Sequence, residues 1–207
     1  MACGDPGWAG KRVLDLTVAT IALVVFSPLM LVVAVLVKLD SPGPVLFRQE
    51  RLGKDMRRFT MLKFRTMRQG ASGAWHRDFI AQLADPDPAA VSLTKLTDDP
   101  RVTRVGRILR KMSLDELPQL LNVIAGEMSL VGPRPALDYE VQLFDTEHFE
   151  RFAVRPGVTG LWQVSGRSEL RYHEMLELDL HYVRSSTLLT DLRILARTPR
   201  AAIGHTA

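Results

Sequence analysis

In the segment Lys111-Met112-Ser113-Leu114-Asp115-Glu116-Leu117-Pro118-Gln119-Leu120, two adjacent carboxylates stand where a helix begins. Neighbours on a helix point about 100° apart, which suits acid–base work from opposite sides of a bond poorly. It suits a different division of labour, in which one carboxylate attacks and the other holds a divalent cation. Magnesium bound by one carboxylate and by substrate phosphates is the usual arrangement. Nearby arginines would let two adjacent anions coexist. The positive end of a helix also lowers a carboxylate's proton affinity and keeps a nucleophile ionised at neutral pH. A structural reading competes with this chemistry. Ser113-x-x-Glu116 matches a capping box, so that Ser113 or Asp115 caps the helix and both acids meet its dipole; Pro118 favours the later start.

Basic side chains are plentiful around this pair. Eight of them, against two acids, lie between Arg48 and Arg68, and Arg101, Arg104, Arg107 and Arg110 recur every three residues. Forked guanidinium groups suit phosphate, while a solvated basic face beside anionic lipid is the plainer alternative. Other chemistries are excluded. The chain has no P-loop, no Gly-x-Gly-x-x-Gly, no His-Glu-x-x-His and no Gly-x-Ser-x-Gly. Its five histidines are scattered, and the single cysteine, Cys3, forms neither an intramolecular disulfide framework nor a zinc ribbon. A net charge of +4 over 207 residues, without aromatic interleaving, argues against nucleic acid as a partner. With 46% hydrophobic and 24% charged residues the chain is long enough for one domain with a core.

The elements that must position these groups begin with an apolar run. Leu16 to Val37 carries no charge over 22 residues, a length of about 33 Å if helical. No convincing cleavage site follows it, so the segment reads as retained and membrane-embedded. Ser27-Pro28 divides it. Pro28 has no N–H and leaves the Val24 carbonyl without its helical partner, and the Ser27 hydroxyl is expected to bond the Leu23 carbonyl. Lys11 and Arg12 precede the run, and Lys38, Arg48, Arg51, Lys54 and Arg57 follow it. Positive charge on both flanks fits a helix that enters and leaves by one face; a kinked span stays open beside it.

Val45–Gln49 and Phe59–Phe64 read as strands joined through Gly53-Lys54-Asp55. Residues 70–88 read as mobile surface, with Asp85-Pro86-Asp87-Pro88 as a loop. Asp98-Asp99-Pro100 is expected to open a helix reaching about Met112, with Val102, Val105, Ile108, Leu109 and Met112 on its apolar face. A second helix is expected from Leu117 to Ile124, ending near Gly126. Val131-Gly132-Pro133-Arg134-Pro135 and Arg155-Pro156-Gly157-Val158-Thr159-Gly160 read as rigid loops. Asp138–Glu150 reads as an exposed acidic helix. Leu170–Tyr182 and Leu188–Arg197 read as helices, the last amphipathic and lying on a membrane or a core.

Several of these segments, taken in order, resemble one family. Lys11-Arg12-Val13-Leu14-Asp15, Ser27-Pro28, Lys63-Phe64-Arg65-Thr66-Met67 and Ser113-Leu114-Asp115-Glu116-Leu117-Pro118-Gln119 are similar to motifs of the bacterial sugar transferases. So are Met128-Ser129-Leu130-Val131-Gly132-Pro133-Arg134-Pro135 and Arg155-Pro156-Gly157-Val158-Thr159-Gly160-Leu161-Trp162-Gln163-Val164. These proteins are the monotopic polyprenyl-phosphate phosphoglycosyl transferases, and the chain looks like their small, catalytic-core form.

The resemblance implies an α+β, mostly helical monotopic membrane protein. Its parts would be an N-terminal extension over 1–10, a re-entrant helix hairpin over 11–40 broken at Ser27-Pro28, and a cytoplasmic catalytic domain over 41–207. That domain would carry a small β-hairpin and interfacial amphipathic helices. The place implied is the bacterial inner (cytoplasmic) membrane, with the catalytic domain on the cytoplasmic face. The implied reaction moves a sugar 1-phosphate from a UDP-sugar to polyprenyl (undecaprenyl) phosphate and releases UMP. It runs through a phosphosugar–aspartate intermediate and makes the first membrane step of a glycan pathway such as exopolysaccharide synthesis. Carried over by motif, Asp115 is the nucleophile and Glu116 the magnesium ligand, with Asp115 beside it at the metal. Lys63, Arg65, Arg110, Arg134, Arg155, Gln163 and Asp179 would bind substrate. Mg2+ is the implied cofactor, and UDP-sugar, polyprenyl phosphate and membrane lipids are the implied partners. A homodimer is a reasonable assembly, and nucleic acid is not a partner. The reading from another class is a non-catalytic scaffold on anionic lipid.

Overall fold

The computed structural model of the chain describes residues 6–68, 99, 101–166 and 170–203. The expected surface segment 70–88 and the expected helix start at Asp98 and Pro100 lie outside the described residues. The apolar run forms one helix, α1 (Pro6–Asp40, 35 residues), with Pro28 inside it. The expected break therefore takes the form of a proline within one helix, not a loop between two. The Ser27 hydroxyl donates to Val24 O at 2.8 Å rather than to Leu23. It thus serves the very carbonyl that Pro28 leaves without an N–H partner.

Both arms of α1 lie against the same body. Ala19, on the first arm, is fully buried with Met61, Leu120, Val123 and Leu130. Val33 and Val37, on the second, are buried with Phe64 and Leu109. Between the arms, Val24, Val25, Phe26 and Leu29 are exposed. Polar bonds pin the first arm. Lys11 Nζ reaches Asp191 Oδ2 at 2.6 Å and Val131 O at 3.0 Å. Arg12 caps the end of a later helix through Val123 O and Ile124 O, and Asp15 Oδ1 accepts from Ser129 Oγ and Leu130 N.

Strands β1 (Leu46–Leu52) and β2 (Arg58–Phe64) pair antiparallel, Phe47 opposite Lys63. A short 3-10 turn, Lys54–Met56, joins them, close to the expected hairpin. Helix α2 covers Arg104–Lys111, shorter than expected. Thr103 Oγ1 caps it by accepting from Gly106 N at 3.0 Å, while Val102 is spent on a β-bridge to Met67. Of the expected apolar face, Leu109 is buried, whereas Ile108 and Met112 are exposed. Helix α3 (Gln119–Ala125) ends at Gly126, whose φ of 85° suits glycine.

Two corrections follow the chain onward. The segments read as rigid loops contribute a short parallel pair, β3 (Ser129–Val131) with β4 (Gly157–Thr159). Only glycine allows the approach: a Cβ on Gly157 would meet Gly132 N at 2.1 Å. The acidic stretch expected as an exposed helix forms two 3-10 segments, Val141–Leu143 and Thr146–Ala153. It also buries Glu140 and His148, and just beyond it Arg151 and Phe152 are buried, because Phe152 must reach Leu52 and Ala136. Helices α4 (Leu161–Ser165), α5 (Tyr172–Ser185) and α6 (Leu188–Ile203) complete the described chain. On α6, Ile194 and Asp191 face inward while Leu188, Leu189 and Leu192 are exposed.

Candidate active site

Helix α2 ends at a sharp turn, where Ser113 takes a left-handed conformation with φ 54°. The next residues, Leu114–Glu116, form a single 3-10 turn. Ser113 makes no side-chain cap bond, and α3 starts only at Gln119. The capping box is not formed, so the two acids are not explained as helix caps. Asp115 is buried. Beside it, Glu116 Oε1 accepts from Lys63 Nζ at 2.7 Å, an ion pair with both partners about three-quarters covered.

Burial pushes the Asp115 carboxyl up to about 6; Glu116 adds to the rise, while Lys63 and Arg110 oppose it. This reverses the expected lowering by a helix start. The carboxylate precedes the helix and lies in low dielectric, and desolvation outweighs the dipole. Arg110 is held by its Nε bond to Thr66 Oγ1 at 3.0 Å, its own proton affinity reduced by burial. The approach of α2 to Thr66 depends on Gly106, where a Cβ would meet Thr66 O at 2.1 Å.

Arg51 links this cluster to a second one. It is buried, donates to Pro135 O and Gln49 Oε1, and lies 4.0 Å from Glu140. Desolvation, then the charge of Arg134, bring its pKa down to about 10, while Glu140 and Glu116 act the other way. Arg134 is exposed. Behind it, Asp179 is fully buried against Arg151 Nη2 at 2.6 Å. Burial raises the Asp179 carboxyl to about 6 despite Arg151. Tyr172 belongs to the same neighbourhood, its phenol pushed upward by burial and then by Glu140.

The structure thus brings Asp115, Glu116, Lys63 and Arg110 together, and Arg51 feels the charges of both Glu116 and Arg134. It uses other expected residues differently. Arg65 is buried and donates to Val37 O, Ser41 O and Pro42 O, which fastens the end of α1. Its two terminal nitrogens are bonded to these carbonyls, and its Nε is buried without a partner. Arg155 Nε donates to Gly126 O at 2.8 Å and closes α3. Gln163 Nε2 donates to Val158 O at 3.3 Å, and its Oε1 is buried without a partner.

Sequence reasoning missed Asn122. Its Oδ1 accepts from Leu62 N, and its Nδ2 donates to Thr60 O and Glu127 Oε2. One amide therefore fixes β2, which carries Lys63, against α3, which follows the acidic pair. Nothing in the local pattern marks it, although a buried asparagine inside an apolar helix is a usable signal.

The adjacent carboxylates fit a divalent cation. Both offer hard oxygen donors, and the raised proton affinity of Asp115 reflects negative charge and burial that a cation would relieve. Glu147, His148 and Glu177 also converge within 4.8 Å. There, however, His148 Nδ1 accepts from Asp145 N, so the neutral ring carries its proton on Nε2 and has no lone pair for a metal.

A family model described as bacterial sugar transferase matches residues 7–205. The exopolysaccharide production protein ExoY of Sinorhizobium fredii is 44% identical over 196 residues, covering 93% of this chain and 84% of that protein. A Caulobacter vibrioides protein named UDP-glucose:undecaprenyl-phosphate glucose-1-phosphate transferase is 43% identical, covering 91% of this chain and 67% of its own length. The undecaprenyl-phosphate galactose phosphotransferase of Salmonella typhimurium is 38% identical over 93% of this chain but only 40% of its own length.

Proposed function

The chain belongs to the bacterial sugar transferase family, and from that premise we propose that it moves a sugar 1-phosphate from a UDP-sugar to polyprenyl (undecaprenyl) phosphate. The observation that carries this reading is a buried carboxylate, Asp115, set beside the Glu116–Lys63 pair and within the field of Arg110. In the first step an Asp115 oxygen attacks the phosphorus that bears the sugar. The bond from that phosphorus to the UMP oxygen breaks, UMP leaves, and the sugar phosphate stays on Asp115. In the second step an oxygen of polyprenyl phosphate attacks the same phosphorus and frees Asp115. Phosphoryl transfer of this kind asks mainly for positioning and charge neutralisation. Arg110 and Arg134 would hold the donor's phosphate oxygens, for which forked guanidinium groups are suited. Lys63 orients Glu116. Glu116 and Asp115 would hold Mg2+, which supplies charge neutralisation at the diphosphate.

The acceptor is a lipid, and several features support a place at the inner membrane. The middle of α1 is apolar and exposed, as are Ile108 on α2, Met112 just after it, Leu121 and Ile124 on α3, and three leucines of α6. The two arms of α1 return to one body. Anchoring of both arms to the same body supports the monotopic reading, in which the helix enters and leaves by one face and the remainder lies in the cytoplasm.

The decisive measurement follows UMP release and attachment of a radiolabelled sugar phosphate to the protein. Asp115→Asn should lose both by about a thousandfold or more. Normal turnover by that variant would end the proposal, as would lipid binding without UMP release for every UDP-sugar tried with the intact protein.

A further inference from the structure

Arg151 makes two bonds with one nitrogen. Its Nη2 donates to Asp179 Oδ2 at 2.6 Å and to the backbone carbonyl of Arg134 at 2.9 Å. The Arg134 backbone N–H lies close enough to the Asp179 carboxylate to favour its anion. The ion pair therefore holds the Arg134 backbone at its carbonyl, with the N–H of the same residue facing the carboxylate. Arg151 is itself fixed in place: its guanidinium lies 5.1 Å over the Phe144 ring, and both members of the pair are buried.

Arg134 also sits between two prolines, Pro133 and Pro135. Their fixed φ angles, together with the Arg151–Asp179 clamp, leave its exposed side chain as the mobile part of a held backbone. Asp179, fully buried, has no path to a substrate phosphate, and as an anion it would repel one. We propose that Asp179 and Arg151 are a positioning pair for Arg134, aiming its guanidinium at the donor diphosphate without touching the substrate. This rests on the reading of Arg134 as a phosphate-binding residue.

The test is a cycle of variants in the full-length protein, measuring UMP release against UDP-sugar concentration. Arg134→Ala removes the guanidinium, and Asp179→Asn removes the charge that holds it. Each alone should raise KM for the UDP-sugar by about tenfold, the loss expected of a charge-assisted hydrogen bond, with a smaller change in kcat. Together they should do no more than Arg134→Ala alone, because Asp179 acts only through Arg134. Effects that multiply would overturn the inference and mean that Asp179 contributes by another route. If Asp179→Asn does not fold, Arg151→Lys serves in its place. It keeps a cation opposite Asp179 but gives up the planar fork, so it should show a weaker KM effect that again vanishes in the Arg134→Ala background. A pair that merely supports the fold would lower thermal stability and active fraction while leaving KM unchanged, which would also sink the idea. Absence of UMP release by the unaltered protein would instead overturn the proposed function.

Discussion

Asp115 is where burial and catalysis oppose each other. A carboxyl raised to about 6 is protonated below that pH and cannot attack phosphorus. Transfer of the sugar phosphate to the protein should therefore fall about tenfold per pH unit below a break no higher than about 6, moved lower by bound Mg2+, and level off above it, as read by single-turnover labelling. The same shift has a stability consequence of known sign. The folded state holds this proton more tightly than the unfolded chain, so the group's favourable contribution is present in full at low pH. It disappears as pH rises through about 6. Asp115→Asn removes the buried charge, so metal-free protein should melt higher than the unaltered chain at pH 7.5 and no higher at pH 4. A lower melting point at pH 7.5 would show that the carboxylate is not desolvated as the structure has it. Glu116 answers a different question. Glu116→Gln should move the magnesium dependence of UMP release to higher concentration, and an unchanged titration would remove it from the metal site.

Elements decide whether these side chains meet. Helix α2 must come close to Thr66 for Arg110 to bond that hydroxyl, and Gly106 is what permits it. Gly106→Ala would place a methyl 2.1 Å from the Thr66 carbonyl oxygen, so α2 must shift. The expected cost is about 1–3 kcal/mol, as for other overpacked contacts, seen as a lower melting temperature together with weaker UMP release. Full activity with unchanged melting would mean that the helix does not sit as described. The hairpin β1–β2 was readable from alternation and turn residues, because pairing of neighbouring segments leaves a local signature. The acidic stretch after Asp138 was not. Its composition suggested an exposed helix, yet Glu140 and His148 are buried, and Arg151 and Phe152 just after it are drawn inward by partners elsewhere in the chain.

For the whole molecule, the question is how α1 meets the membrane. Its two arms share apolar clusters with the rest of the chain, whereas Val24 to Leu29 project without cover. In a variant with Cys3 replaced by Ser, single cysteines at Ala9 and Pro44 should react with an impermeant reagent from the same membrane face. Reaction from opposite faces would restore a spanning helix.

Local order along the chain was enough to mark the apolar helix with its Ser27-Pro28 pair, the hairpin, the adjacent acids and the helix ending at Gly126. Each depends on neighbours within a few residues, and the motifs recur in fixed sequence order, so the family was legible as well. Tertiary structure decided the rest. It turned Arg65 and Arg155 into clasps for helix ends, brought β3 beside β4, and joined Lys11 to Asp191 across 180 positions. It also reversed the direction of the Asp115 shift. Proton affinity and backbone clamping depend on which distant groups close over a site and exclude water. Contacts of that range have no period or spacing by which a sequence could announce them.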